Sequence, residues 1–306
     1  MKMLVTGATG QVGWELARSL MPLGDVIAVN RNRCDLSRPE TIAPLLRDIR
    51  PDVIVNAAAY TAVDKAESEE ALATTINGTA VGVLAEEAKQ CGALLVHYST
   101  DYVFDGRKAE PYVENDAPNP INAYGRSKLA GEVAIRAVDG AYIILRTSWV
   151  YAARGNNFVR TILRLARERE ELNIVADQFG APTSARVIAD VTSHVVRQAR
   201  QTQTTGNATY HDTYHLTADG ATHWHDFART IVEGAREFGL LDPKRLLRIN
   251  PICTGDYPLP AKRPMNSRLN NQKLRDRFGI ATPVWQQGLQ RVLQEVSSYG
   301  NGAVFA

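Results

Sequence analysis

An apolar run at residues 3–6 leads directly into Gly7-Ala8-Thr9-Gly10-Gln11-Val12-Gly13, and Trp14-Glu15-Leu16-Ala17-Arg18-Ser19-Leu20 follows with helical spacing. Few architectures place a strand, a glycine turn and a helix in that order. Gly7 permits the tight turn, Gly10 lets backbone approach a pyrophosphate, and Gly13 lets the helix pack closely, while the first helical N–H groups face the anion. The spacing is G-x-x-G-x-x-G rather than the G-x-G-x-x-G of two-domain dehydrogenases. No G-x-x-x-x-G-K-[ST] occurs in the sequence, which disfavours a P-loop nucleotidase.

Further apolar runs at residues 26–29, 53–56, 94–99 and 143–146 alternate with helical stretches such as 66–74 and 78–90. That alternation predicts an α/β fold, a Rossmann-type doubly wound parallel sheet whose strands are buried on both faces. Ligands gather at the C-terminal ends of such strands. There the sequence places Ala57-Ala58-Ala59-Tyr60-Thr61, Ser99-Thr100-Asp101 and Thr147-Ser148-Trp149. Past Trp149, prolines at 182, 251, 258, 260, 264 and 283 break the pattern. Residues 151–306 are therefore read mainly as a smaller C-terminal α/β substrate-binding lobe, and 1–150 as the dinucleotide-binding domain. Parts of 187–217, a helix at 187–199 and a strand at 213–216, are expected to return to the first domain. Residues 198–207 read as an exposed loop.

With 306 residues and 44% hydrophobic content, the chain can bury a large core. Thirty-five basic residues balance 33 acidic ones, without a basic tract, so neither nucleic acid nor a membrane is the expected partner. Three scattered cysteines, Cys34, Cys91 and Cys253, fit reduced thiols in the cytoplasm. With a strand right after Met1-Lys2, no leader is expected, and no apolar run approaches the ~20 residues of a membrane span. His223 and His225 fall in a predicted helix over 222–237, where residues two apart point in different directions, so no metal site is expected.

Tyr124 and Lys128 are spaced i, i+4 and share a helix face. A free phenol, with a pKa of about 10, holds its proton too tightly for exchange near neutrality, and a nearby ammonium lowers that by roughly 1 to 3 units. Beside a dinucleotide cradle, the pair predicts carbonyl reduction. At the end of the second strand, an acid would hold the 2′-hydroxyl of NADH. This chain has Asn30 and Arg31 there, with Arg33 close by, and guanidinium groups pair with phosphate, so NADPH is expected in preference to NADH.

The glycine loop, Thr100 and the Tyr124/Lys128 pair together resemble the extended short-chain dehydrogenase/reductases. Long strings narrow the likeness: Pro51 to Glu67, Tyr98 to Gly106, Arg146 to Tyr151, Gly155 to Phe158, Asp177 to Thr183 and Arg263 to Ser267. They are similar to the branch that reduces the C4 keto group of dTDP-4-keto-6-deoxy-L-mannose with NAD(P)H. The resemblance implies Tyr124 as proton donor, Lys128 as its electrostatic partner and ribose ligand, and Thr100 as a hydroxyl near the carbonyl. It also implies Gly10, Gln11 and Val12 at the pyrophosphate, Asn30, Asp35 and Leu36 around adenosine, Ala59, Tyr60 and Thr61 near the inner ribose, and Tyr98 beside the cofactor. Thr100, Asp101 and Trp149 would contact the nucleotide sugar. Some relatives are Mg2+-bridged dimers through acids; Glu15 matches, but Arg186 stands where an acid is expected, leaving Mg2+ and the choice of monomer or homodimer open. Two alternatives share these features: an epimerase or dehydratase recycling bound NAD, and a non-catalytic NADP-binding regulatory subunit.

Overall fold

The computed structural model describes residues 1–204 and 210–298, without the side chains of 203 and 204. The chain runs through β1 (Lys2–Thr6), α1 (Gln11–Ser19), β2 (Asp25–Val29), α2 (Ile42–Ile49) and β3 (Val53–Asn56). Next come α3 (Val63–Ala66), α4 (Glu70–Thr74), α5 (Ala80–Cys91), β4 (Leu94–Thr100), α6 (Ala123–Val138) and β5 (Tyr142–Thr147). The two-residue β6 (Val150–Tyr151) is followed by α7 (Phe158–Glu168), β7 (Glu171–Val175), β8 (Phe179–Gly180), β9 (Thr183–Ser184), α8 (Ala185–Thr204) and β10 (His211–His215). After these lie β11 (Thr222–His223), α9 (Trp224–Glu237), β12 (Arg248–Ile252), α10 (Gln272–Phe278) and α11 (Trp285–Ser298).

Six strands form one parallel sheet in the order β10-β5-β4-β3-β1-β2. It is the doubly wound sheet the sequence predicts. Every residue of β3, β4 and β5 is buried, which is why those strands read as unbroken apolar runs. One apolar cluster, including Leu16, Val191 and Val195, covers one face; another, including Leu46, Val81 and Leu84, covers the other. A separate core joins α7, α9 and α11 through Ile162, Phe227, Ile231 and Leu289.

The chain steps outward from β1 to β2 and then returns past β1 to β3. Loops leaving β1 and β3 therefore part in opposite directions, opening a crevice at their C-terminal ends. The crevice floor is narrow because glycine makes it so. Gly7 has a φ of 68°, and a Cβ there would lie 2.8 Å from the Ala58 nitrogen; a Cβ on Gly13 would lie 2.1 Å from the Gly7 oxygen.

Three expectations about elements need correction. In place of helices at 66–74 and 78–90 there are α3, α4, a single π turn at Thr75–Thr79 and α5. The chain breaks after Ala66, where the Ser68 hydroxyl donates to the Lys65 carbonyl. Residues 198–204 are helical rather than looped, because Ala199 is buried and Gln198 Nε2 donates to the Phe278 carbonyl at 2.8 Å. The remainder of that expected loop, 205–207, lies outside the described residues. Finally, α9 starts at Trp224 rather than at 222.

Candidate active site

A cavity of about 740 Å³ fills the crevice. Gly7, Gly10, Gln11 and Val12 line one end, Arg31, Asp35 and Leu36 the adjoining wall, and Ala59 and Thr61 the edge after β3. Tyr98, Thr100, Asp101, Tyr124, Lys128 and Trp149 line the other end. Three residues singled out from the sequence stand elsewhere. Gly13 is buried beneath the loop, and Asn30 lines a neighbouring cavity. Tyr60 turns its hydroxyl to Glu69 at 2.7 Å.

Helix α6 carries the phenol and the amine. Asn122 starts it, its side-chain oxygen accepting the Gly125 N–H at 2.8 Å while its amide nitrogen donates to the Lys262 carbonyl at 2.8 Å. Gly125 is required there, since a Cβ would lie 2.1 Å from the Tyr102 oxygen. One turn beyond Lys128, the Glu132 carboxylate takes a bidentate pair from Arg146 of β5 at 2.8 and 2.7 Å, both groups essentially without solvent contact. This fixes α6 against the sheet and sets the height of Tyr124 and Lys128 over the cavity.

Lys128 Nζ donates to the Tyr98 carbonyl at 2.6 Å and lies 3.2 Å from His97 Nε2. His97 Nδ1 in turn meets the Asn56 amide at 3.0 Å, and Asn56 Oδ1 accepts the Thr6 hydroxyl at 2.6 Å. This buried polar row runs from the amine to the first strand. Burial lowers Lys128 to about 8, with Glu132 opposing the fall, and holds His97 well below its usual value, helped by the Lys128 charge.

Tyr124 departs from expectation. Burial pushes its phenol up to about 12; a hydrogen bond with the Thr100 hydroxyl pulls it back in part, and the Asp101 charge adds to the rise. The Lys128 ammonium is directed instead to the Tyr98 carbonyl and His97. The Thr100 hydroxyl also donates to Asp101 Oδ1 at 2.9 Å, while Asp101 Oδ2 is buried without a hydrogen-bond partner among the described residues. Burial raises Asp101 to about 6, eased by Ser267 and Thr100. Over the same end, Trp149 stacks on Trp224 with centroids 3.5 Å apart and planes at 8°. Its φ is 48°, in the left-handed region.

Positioning residues went unread in the sequence. Asn77, inside the π turn, accepts the Tyr60 N–H at 2.9 Å, donates to the Tyr60 carbonyl at 3.0 Å and reaches Ser127 of α6 at 2.9 Å. An asparagine in an apolar helical stretch was the available signal. His97 lay hidden inside a strand.

The two cation questions have different answers. Glu15 receives Arg18 at 3.2 Å and Arg186 at 3.3 Å, and Arg186 also reaches Glu295 at 3.0 Å. A guanidinium already stands between the acids, so these residues do not fit Mg2+. His223 and His225 do not point apart as expected, because His223 is the extended cap of α9 and its ring lies 5.8 Å from that of His225. With Asp226 they bring their ligand atoms within 4.8 Å of one another. His223 Nδ1, however, accepts the Asp226 N–H at 3.2 Å, which puts the ring proton on Nε2 facing the Asp226 carboxylate. A cation bound by both rings would cost the helix this cap.

The sheet, the glycine-floored crevice and the tyrosine and lysine on one helix face define a Rossmann-type reductase of the extended short-chain class. Over residues 1–298 the chain matches the family model described as RmlD substrate binding domain, and it belongs to that family. It is 55% identical to a dTDP-4-dehydrorhamnose reductase of Burkholderia thailandensis over 298 residues, 97% of this chain and 100% of that one. Among solved structures, a dTDP-4-dehydrorhamnose reductase of Clostridium acetobutylicum superposes with a TM-score of 0.87 at 36% identity, covering 97% of this chain and 99% of that one. One from Bacillus anthracis in complex with NADP gives 0.85 at 36%, covering 96% and 100%. The narrower likeness read from the sequence strings is thereby borne out.

Proposed function

We propose that the chain reduces the C4 keto group of dTDP-4-dehydro-β-L-rhamnose to give dTDP-L-rhamnose, the last step in making that activated sugar, with NADPH preferred and NADH accepted. The observation that carries this is the convergence of Tyr124, Thr100 and Lys128 at one end of a cavity whose other end is the glycine loop, in a chain more than half identical to a named reductase. The reduced nicotinamide, when bound, supplies the hydride. Gly7, Gly10, Gln11, Val12 and Gly13 shape the pyrophosphate cradle, with Asn30, Arg31, Asp35 and Leu36 at the adenosine end and Ala59, Tyr60, Thr61 and Tyr98 toward the nicotinamide end.

Tyr124 gives its proton to the developing alkoxide. A phenol raised to about 12 stays protonated at neutral pH, which suits an acid in the reducing direction. Thr100 hydrogen-bonds at the same point, and the Lys128 ammonium lends positive charge as negative charge develops. Asp101 and Trp149 hold the nucleotide sugar. Residues 1–150 with α8 and β10 serve as the cofactor unit and most of 151–298 as the substrate lobe, a division supported by the separate core around α7, α9 and α11. No helix among the described residues is long and apolar enough to cross a membrane. The free thiols Cys34, Cys91 and Cys253 support the cytoplasmic reading. Nothing in the cavity favours nucleic acid as partner.

The test is to supply dTDP-4-keto-6-deoxy-L-mannose with NADPH or NADH, follow loss of reduced cofactor and identify the sugar. One NADPH oxidised per rhamnose formed is expected. Turnover without added cofactor would point instead to an epimerase or dehydratase, and absence of any reduction to a regulatory subunit.

A further inference from the structure

Beside the main cavity lies a second of about 570 Å³, and Thr9 lines both. Ala8, Ala28, Val29 and Asn30 form part of its wall, and Arg33, Trp14 and Arg154 complete it; no carboxylate lines it. Arg33 and Arg154 are exposed, and neither has an ion pair with any described residue. Arg31 differs. It faces the main cavity and is engaged by Asp35 at 3.3 Å, with the Ser37 hydroxyl 3.5 Å away.

Arg154 comes from the far side of the sequence, in the loop between β6 and α7. Two contacts fix where it stands. Asn157 Nδ2 donates to Gln11 Oε1 at 2.9 Å, tying that loop to the glycine turn, and the Arg154 guanidinium carbon lies 3.5 Å from the centroid of the Trp14 ring, itself 51% exposed. A guanidinium stacked on an indole keeps its N–H edge free, and that edge matches phosphate oxygens. Two uncompensated guanidinium groups in an acid-free recess at the end of β2 form a site for a small dianion next to where the adenosine ribose lies.

Resting on the NADPH reading above, we infer that Arg154, stacked on Trp14, acts with Arg33 to hold the 2′-phosphate, and that Arg154 rather than Arg31 sets the preference for NADPH over NADH. The substrate lobe thereby contributes a specificity residue to the cofactor site.

Calorimetric titration of the full chain with NADP+ and with NAD+ tests this without turnover. Arg154→Ala is expected to weaken NADP+ at least about tenfold and NAD+ less than about twofold, as loss of a charge-assisted phosphate contact requires. Arg154→Lys, which keeps the charge but not the planar stack, should regain only part of the loss. Adenosine 2′-monophosphate should bind the parent chain more tightly than Arg154→Ala. Equal weakening of both dinucleotides, no weakening of either, or a larger selective loss from Arg31→Ala would overturn the inference. If those results came from a parent chain that still reduced the sugar with NADPH, the function would stand and only the role of Arg154 would fall. A parent chain binding neither dinucleotide would overturn both.

Discussion

At the residue scale, the half-buried Tyr124 and the buried Asp101 lie at the same end of the cavity and respond differently to it. Tyr124→Phe should leave NADP+ affinity unchanged in a binding titration while turnover falls by roughly 10²–10⁴, the usual contribution of a positioned acid. Near-normal turnover would remove Tyr124 from the proton path. For Asp101, the raised folded value means that below about pH 6 the folded chain holds a proton that the unfolded chain releases down to its ordinary value of 3.8. The stability contributed by the neutral carboxyl is full below about pH 4 and is lost as pH rises through about 6. Asp101→Asn should therefore stabilise the chain by on the order of 2 kcal/mol near neutrality, with the gain vanishing toward pH 4 in thermal melts. A gain independent of pH would contradict this. That both residues share one cavity with Thr100 and Lys128 could be read from the motifs; the direction of the Tyr124 shift could not, since it depends on how completely the fold excludes water from the ring.

At the scale of elements, α6 is held to β5 by one buried ion pair. Glu132→Ala would strand the Arg146 guanidinium in the core, and removing one partner of such a pair costs about 3–5 kcal/mol. A melting temperature within a degree or two of the parent would show that the pair does not anchor the helix. The strands were legible because burial on both faces leaves little choice of residue, as in Val53–Asn56. The stretch between β3 and β4 was not, because its π turn exists to aim Asn77 at Tyr60 and Ser127, a tertiary requirement that local spacing does not encode. Nor was the capping role of His223, since an imidazole replaces the usual small oxygen-bearing cap.

Across the whole molecule, sequence-distant segments close around the cavity. Arg263 grips Asp64 with nitrogens at 2.6 and 2.7 Å, Arg154 covers Trp14, and Arg186 joins α1 to α11 through Glu15 and Glu295. Because a guanidinium performs that last bridging, dialysis against a chelator should change neither melting temperature nor turnover. Arg186→Glu should instead melt earlier in chelator, three carboxylates then lying together, and recover part of the loss with added Mg2+. A parent chain inactivated by chelation would show that a divalent ion acts somewhere in it.

Trp149 rests on a backbone angle of 48° that glycine adopts without steric penalty, while its ring stacks on Trp224 and leaves no room for a side chain at Gly180, where a Cβ would lie 2.5 Å from the indole. The path of the loop and the platform it presents are thus separable: Trp149→Gly would preserve the route of the main chain while deleting the surface. On the proposed role of Trp149 as a sugar contact, selectivity is open to redesign at that position without rerouting the loop.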